Sequence, residues 1–170
     1  LLIAGSEDMP GASVLCGRAV MRTGAGMLKI IAPVENREII VGNVPEAMLG
    51  IYNSEESAIE QIKNSFNWAD VIVIGPGLGR SSTAVSMVKY VLEHGQLPLV
   101  LDADALNIVS EHLEWLKNYH YSCLITPHVG EMARLMHTSI SRVSEELLHH
   151  AQTFASEYQV QCVLKDASVI

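Results

Sequence analysis

The stretch Val71-Ile72-Val73-Ile74-Gly75-Pro76-Gly77-Leu78-Gly79 decides the fold. Four β-branched aliphatic residues in a row read as a strand buried on both faces, because a half-exposed strand would alternate apolar with polar. The run stops at three glycines and a proline. The next apolar residues, Ala84, Val85, Val88, Val91 and Leu92, fall at helical spacing. Strand, glycine-rich turn and amphipathic helix, in that order, form the first part of a βαβ unit.

The pattern repeats on both sides of this stretch. Leu99-Val100-Leu101, Cys123-Leu124-Ile125 and Cys162-Val163-Leu164 read as further strands buried on both faces, with Leu1–Ala4 and Leu28–Ala32 as weaker members of the set. Between them, Ala12, Leu15, Cys16, Ala19, Val20 and Thr23 share one helical stripe. Val143, Leu147, Ala151, Phe154 and Tyr158 form another, on one long helix. Alternation of this kind predicts an α/β domain whose mostly parallel central sheet is joined by crossover helices. No repeat, low-complexity tract or linker divides the 170 residues, so residues 1–170 read as a single domain. Leu1–Ala4 reads as a buried strand with nothing before it, and the domain is expected to be incomplete at both ends.

Composition narrows the function classes. Apolar residues make up 49% and aromatics only 5%, so aliphatic side chains are expected to build the core. A net charge of −8 argues against a nucleic-acid partner, which needs a basic surface, but not against a nucleotide held by loop amides and helix N-termini. No apolar run approaches the roughly 20 residues that span a bilayer, and no charged n-region with a cleavage site marks a secretory signal. Cys16, Cys123 and Cys162 lie far apart in apolar runs with no Cys-x-x-Cys pair. They read as buried free thiols of a reducing compartment, which makes the cytoplasm the expected location.

The polar residues gather just after the apolar runs. Gly5-Ser6 and Met9-Pro10-Gly11 follow Leu1–Ala4, and Gly75–Gly79 follow Val71–Ile74. Asp102-Ala103-Asp104-Ala105-Leu106-Asn107, Thr126-Pro127-His128-Val129-Gly130-Glu131 and Lys165-Asp166 follow the later ones. In a parallel sheet all these ends share one edge, and open α/β folds bind ligands outside the carboxyl ends of their strands. Each piece also has a plain structural reading. The glycine loop is neither G-x-G-x-x-G nor a Walker loop and suits a tight turn needing positive φ. Asp104 reads first as a helix cap. Asp102 is suited to a ligand hydroxyl, a magnesium ion or a neighbouring loop. Asn107 fits a first helical turn, and Glu131 complements a helix dipole. His128 stands between a structural and a ligand-facing role. Lys165, ending an apolar run, needs an anion, either a phosphate or a salt-bridge partner. The remaining histidines, His149-His150 included, have no metal-ligand spacing, so no protein metal site is expected.

Taken in order, these loops resemble one family. Ala4-Gly5-Ser6, Met9-Pro10-Gly11-Ala12 and Arg22-Thr23-Gly24-Ala25-Gly26 are similar to the opening of the ADP/ATP-dependent NAD(P)H-hydrate dehydratases, which have a ribokinase-like three-layer α/β/α fold. So are Gly75–Gly79, Leu101–Asn107, Thr126–Leu135 and the final Val163-Leu164-Lys165. The resemblance implies a metabolite-repair lyase. Such enzymes phosphorylate the hydroxyl that hydration adds to the nicotinamide ring, using ADP or ATP with Mg2+, and loss of phosphate then restores NADH or NADPH from the S epimer. A poor leaving group becomes a good one, and phosphoryl transfer asks mainly for positioning and charge stabilisation. Carried onto this chain, Ala12, Gly77 and His128 line the hydrated-dinucleotide pocket with Gly79 and Asn107 close by. Asp102 and Glu131 complete the candidate substrate side. Lys165 begins the nucleotide-phosphate loop and Ser168 supplies its hydroxyl. Relatives commonly self-associate, often as tetramers, so a homo-oligomer is implied too.

Three departures stand out. The family pattern Lys-Gly-x-x-Thr is replaced by Lys165-Asp166-Ala167-Ser168, one residue shorter and with a carboxylate where a glycine lets phosphate approach. Val129 replaces the proline of Thr-Pro-His-Pro-Gly-Glu. No Gly-Thr-Gly-Asp stretch, which supplies the family's anion hole and catalytic aspartate, occurs in residues 1–170. That aspartate is expected beyond Ile170, and the domain is read as truncated at its C-terminus. Residues 1–170 alone are then expected to be inactive or nearly so, and a longer protein containing them to be the enzyme. Two alternatives remain: a ribokinase-like kinase of a thiazole or pyrimidine alcohol, and a nucleotide-binding module without chemistry.

Overall fold

A computed structural model describes residues 1–166 of the chain. Its centre is a seven-stranded sheet in which every paired strand runs parallel to its neighbour. The strands are β1 (Leu2–Ile3), β2 (Lys29–Pro33), β3 (Met48–Tyr52), β4 (Ile72–Ile74), β5 (Leu99–Leu101), β6 (Cys123–Ile125) and β7 (Gln161–Cys162), in the order β3-β2-β1-β4-β5-β6-β7. From central β1 the chain moves outward through helix α1 (Pro10–Arg22) to β2. A 3-10 turn at Val34–Asn36 and helix α2 (Arg37–Asn43) then lead to β3. Helix α3 (Glu55–Ser65) carries it back to β4, on the other side of β1. From there it moves outward again by way of α4 (Ser82–His94), α5 (Asp104–Val109) and α6 (Glu114–Lys117), then α7 (Val129–Leu135), α8 (Ile140–Glu145) and α9 (Leu147–Tyr158). The direction of travel reverses between β1 and β4. Loops diverge at such a point and leave a crevice outside the carboxyl ends.

The two faces of the sheet are covered unequally. Leu2, Ala4, Ile30 and Ala32 pack against Val14 of α1 and Ile40 of α2. On the opposite face, Ile3, Ile31, Ile74, Leu101 and Ile125 join the larger cluster built with α3, α4 and Phe154 of α9. Val73, Val100 and Leu124 lie in register on the first face and are only half-buried. The expectation of strands buried on both faces therefore fails for β4 to β6. An unbroken apolar run reports that no water-facing residue is required, not that both sides are covered.

The helices correct the sequence reading in two places. In α1 the buried positions are Ser13, Val14 and Gly17, while Leu15 is 70% exposed. The helix turns its small residues inward because the sheet lies close: a Cβ on Gly17 would sit 3.0 Å from Ile30 Cδ1. The single helix expected from Val143 to Tyr158 is two, α8 and α9, broken at Glu146 (φ −137°, ψ 53°). β3 and α3 carry no expectation from the sequence. β3 has Gly50 at its middle, where a Cβ would come 3.0 Å from Ile31 Cγ1, and α3 opens on a capping box between Ser54 and Ser57.

All three cysteines are free thiols, but only Cys123 is buried. Burial pushes the Cys123 thiol from 9.0 up to about 12 and that of Cys162 to about 11. It also raises the Tyr52 hydroxyl to about 12, helped by the nearby Glu35 charge. Above pH 9 the unfolded chain loses thiol protons that the folded chain keeps. Stability is therefore fully present below that pH and declines as pH rises through 9.0 toward about 12. A urea midpoint clearly lower at pH 10.5 than at pH 8 is the expected result; equal midpoints would contradict it.

Candidate active site at the carboxyl edge of the sheet

The all-parallel order brings the loops after β1, β4, β5, β6 and β7 into one consecutive row, in the order of the strands themselves. At the switch point, Gly5 N–H donates to Pro76 O at 2.9 Å and Gly75 N–H to Ile3 O at 3.1 Å, which stitches the first two loops together. Gly77 has φ +61°, and a Cβ there would meet Ala12 Cβ at 2.4 Å. Ala12 and Gly77 are thus neighbours, with the glycine loop lying directly on the first turn of α1.

The loop after β5 faces both of its neighbours. Asp104 is the first residue of α5, not its cap; Ala103 holds the cap position and makes no side-chain cap bond. Asp104 Oδ2 instead accepts from the Gly79 N–H at 2.9 Å, and Asn107 Nδ2 lies 3.4 Å from Asp104 Oδ1. Arg134 of α7 donates from Nε to Asn107 Oδ1 at 2.7 Å, a contact that helical periodicity does not announce. Asn107 is buried to 8% exposure, so this chain of bonds satisfies its amide. On its other side, Asp102 Oδ1 accepts from Lys165 Nζ at 2.8 Å. Asp102 thus meets a neighbouring loop, one of the three readings open for it. Ala103, between the two aspartates, holds φ +51° and ψ −119°, a backbone position costly for any residue with a Cβ.

His128 caps α7. Its Nδ1 accepts from Gly130 N–H at 3.0 Å, which leaves Nε2 3.3 Å from Glu131 Oε1. Glu131, 5% exposed, reaches back and accepts from His128 N–H at 2.8 Å. Its role is therefore a reciprocal cap rather than a bare dipole complement. Lys165 N–H donates to Pro127 O at 2.8 Å, which fixes the lysine beside the His128 loop. Ser168 lies outside the described residues. The structure thus joins Ala12 to Gly77, Gly79 to Asp104 and Asn107, and Asp102 to Lys165, and sets His128 and Glu131 beside them on one edge. Sequence reasoning missed Arg134, and it missed a second group around the loops after β2 and β3 (Glu35, Tyr52) and at Arg80. The signal for Arg80 was its place immediately after the glycine loop, and for Glu35 its place two residues past the end of β2.

A sequence model of the NAD(P)H-hydrate dehydratase family matches residues 1–170. The chain is 33% identical to the bifunctional NAD(P)H-hydrate repair enzyme Nnr of Moorella thermoacetica, over all of this chain and 33% of that protein. A ribokinase-like superfamily protein of Enterococcus faecalis superposes with a TM-score of 0.83 at 30% identity, covering 99% of this chain and 57% of that one. The ADP/ATP-dependent NAD(P)H-hydrate dehydratase of Bacillus subtilis, co-crystallised with ATP and Mg2+, superposes with a TM-score of 0.79 at 29% identity, over 99% and 57%. The chain spans about a third of the length of the curated relatives it matches. The ribokinase-like likeness agrees with the parallel sheet, and the family match runs through every loop of the row. On both counts, this chain belongs to the NAD(P)H-hydrate dehydratase family.

Proposed function

We propose that the protein to which residues 1–170 belong repairs hydrated NADH or NADPH, transferring phosphate from ADP or ATP to the ring hydroxyl and eliminating it to restore the reduced cofactor. The observation that carries this is the Asp102–Lys165 pair. It puts a cation suited to nucleotide phosphate on the same edge as the Ala12–Gly77 contact, one turn of chain from the Gly79–Asp104–Asn107 bonds. In this reading Ala12, Gly77 and His128 bound the hydrated nicotinamide. Asp104 and Asn107 hold the Gly79 turn in place, and Lys165 with Ser168 receives the donor's phosphates. Asp102 presents the ammonium in a fixed direction, as charge-assisted recognition of phosphate requires. Magnesium keeps water and phosphate ligands and takes few from protein. Asp102 is the carboxylate beside Lys165 that fits an ion entering on the nucleotide, and the ion supplies charge neutralisation between phosphates. The expected homo-oligomer and cytoplasmic location belong to the same proposal.

The general base is the missing part. No Gly-Thr-Gly-Asp stretch lies in residues 1–170. Residues 1–170 alone are expected to give no nucleotide-dependent recovery of reduced-nicotinamide absorbance from hydrated NADH. Extended by the corresponding C-terminal segment of the Bacillus subtilis relative, they are expected to give it. Turnover at comparable rates by both polypeptides would refute the assignment of the base, and a phosphorylated product that is never eliminated would identify a kinase instead.

A further inference from the structure

The loops after β1, β2, β3 and β4 enclose a cleft of about 480 Å³ that, among the residues assigned above, is lined only by Gly79. Its size suits a nucleoside-sized ligand, since small-molecule sites run from roughly 300 to 1,000 Å³. Pro33 and Tyr52 give it a flat apolar wall, and Arg80 stands in the chain directly after Gly79. Glu7, Asp8 and Glu35 line the same cleft. Among the described residues none of these three carboxylates, nor Arg80, belongs to an ion pair. Three carboxylates against one guanidinium leave the charge of the cleft net negative. Glu35 and Tyr52 line the cleft together, and burial, then the Glu35 charge, pushes the Tyr52 hydroxyl up to about 12.

We propose that this cleft takes the adenosine half of the dinucleotide and selects NADH hydrate over NADPH hydrate. The proposal rests on the reading of Ala12 and Gly77 as the nicotinamide end. A dinucleotide anchored there continues past Gly79, where Arg80 meets its diphosphate and Tyr52 with Pro33 meets the purine. The adenosine ribose of NADH then presents two hydroxyl donors to carboxylates that can only accept. In NADPH one of those donors is replaced by a phosphate of roughly −2 charge, set against three carboxylates and lacking a proton to give. Like charges across a binding surface cost affinity and make specificity.

The test uses the 170-residue chain and the reaction's products, NADH and NADPH, whose own fluorescence reports binding without turnover. NADH is expected to bind about tenfold more tightly than NADPH. Glu35→Gln is expected to narrow that ratio and Glu35→Arg to bring it to one or invert it, while Arg80→Ala weakens both ligands alike. Glu35 and Arg80 are exposed, so the variants keep the fold, and unchanged urea midpoints verify it. Equal affinities, a preference for NADPH, a ratio indifferent to Glu35→Arg, or no binding of either ligand would each overturn the proposal. A preference for NADH together with no nucleotide-dependent recovery in the extended polypeptide would remove the dehydratase reading and leave the subsite standing.

Discussion

Gly75→Ala is expected to cost at least about 4 kcal/mol of folding stability, a large part of what a domain of this size has. Two independent terms add. Gly75 has φ +127°, where a side chain is strained whatever the space around it. The space is also absent: a Cβ there would lie 1.9 Å from Asp102 O and 2.7 Å from Ala105 Cβ. The clash is with backbone, so no rotamer change relieves it. Asp102 cannot retreat either, because its N–H donates to Ile74 O at 3.2 Å and its carbonyl accepts from Ala105 N–H at 3.2 Å. Relief requires separating the β4 turn from the β5 turn, which is the contact that aligns the glycine loop with Asp102 and Asp104. Gly11→Ala is the matched control: nothing lies within 4 Å of its Cβ. On a helix this change is expected to be neutral or stabilising by up to about 1 kcal/mol. Urea denaturation of both variants measures the difference. A folded Gly75→Ala chain with an unaltered midpoint would show that the two turns do not meet so closely.

Lys165→Ala is expected to weaken Mg2+-ATP binding about ten- to a hundredfold while changing stability by less than about 1 kcal/mol. The two magnitudes separate the readings of this residue. As a structural salt bridge, the Lys165–Asp102 pair is 42% and 27% exposed at its side chains, so solvent screens it and its removal costs little. As a phosphate ligand, the ammonium contributes charge-assisted hydrogen bonds to a polyanion, each worth about 1.5–3 kcal/mol. Lys165→Arg, which keeps the charge and can still reach Asp102, is expected to retain most of the affinity. Calorimetric titration with ATP and Mg2+ decides. An unaltered affinity in Lys165→Ala would reduce the lysine to its ion pair and return nucleotide binding to other groups.

Six of the seven strands were legible because each lies in or beside a short apolar run stopped by turn residues, while β3, with Gly50 at its middle, was not. The row of polar loops followed, since parallel strands put all their carboxyl ends on one side. What local pattern misjudged was direction around a helix. Leu15 was read on the core-facing stripe but is 70% exposed, while Gly17 is buried against Ile30, which leaves no room for a larger residue. The pairing of polar groups was equally out of reach. Asp104 looked like a cap until its carboxylate was found on Gly79 N–H, 25 residues away in sequence.

By itself, the sequence determined the α/β class, the strand-ending loops and the family, because runs, spacing and ordered motifs are properties of neighbouring residues. The tertiary structure alone decided that travel reverses between β1 and β4, that Asp102 holds Lys165 across 63 residues, and that Glu35, Tyr52 and Arg80 share a cleft. These depend on strand order and on which side chains meet across the sheet edge. Such contacts join residues far apart in the chain, and no local period records them.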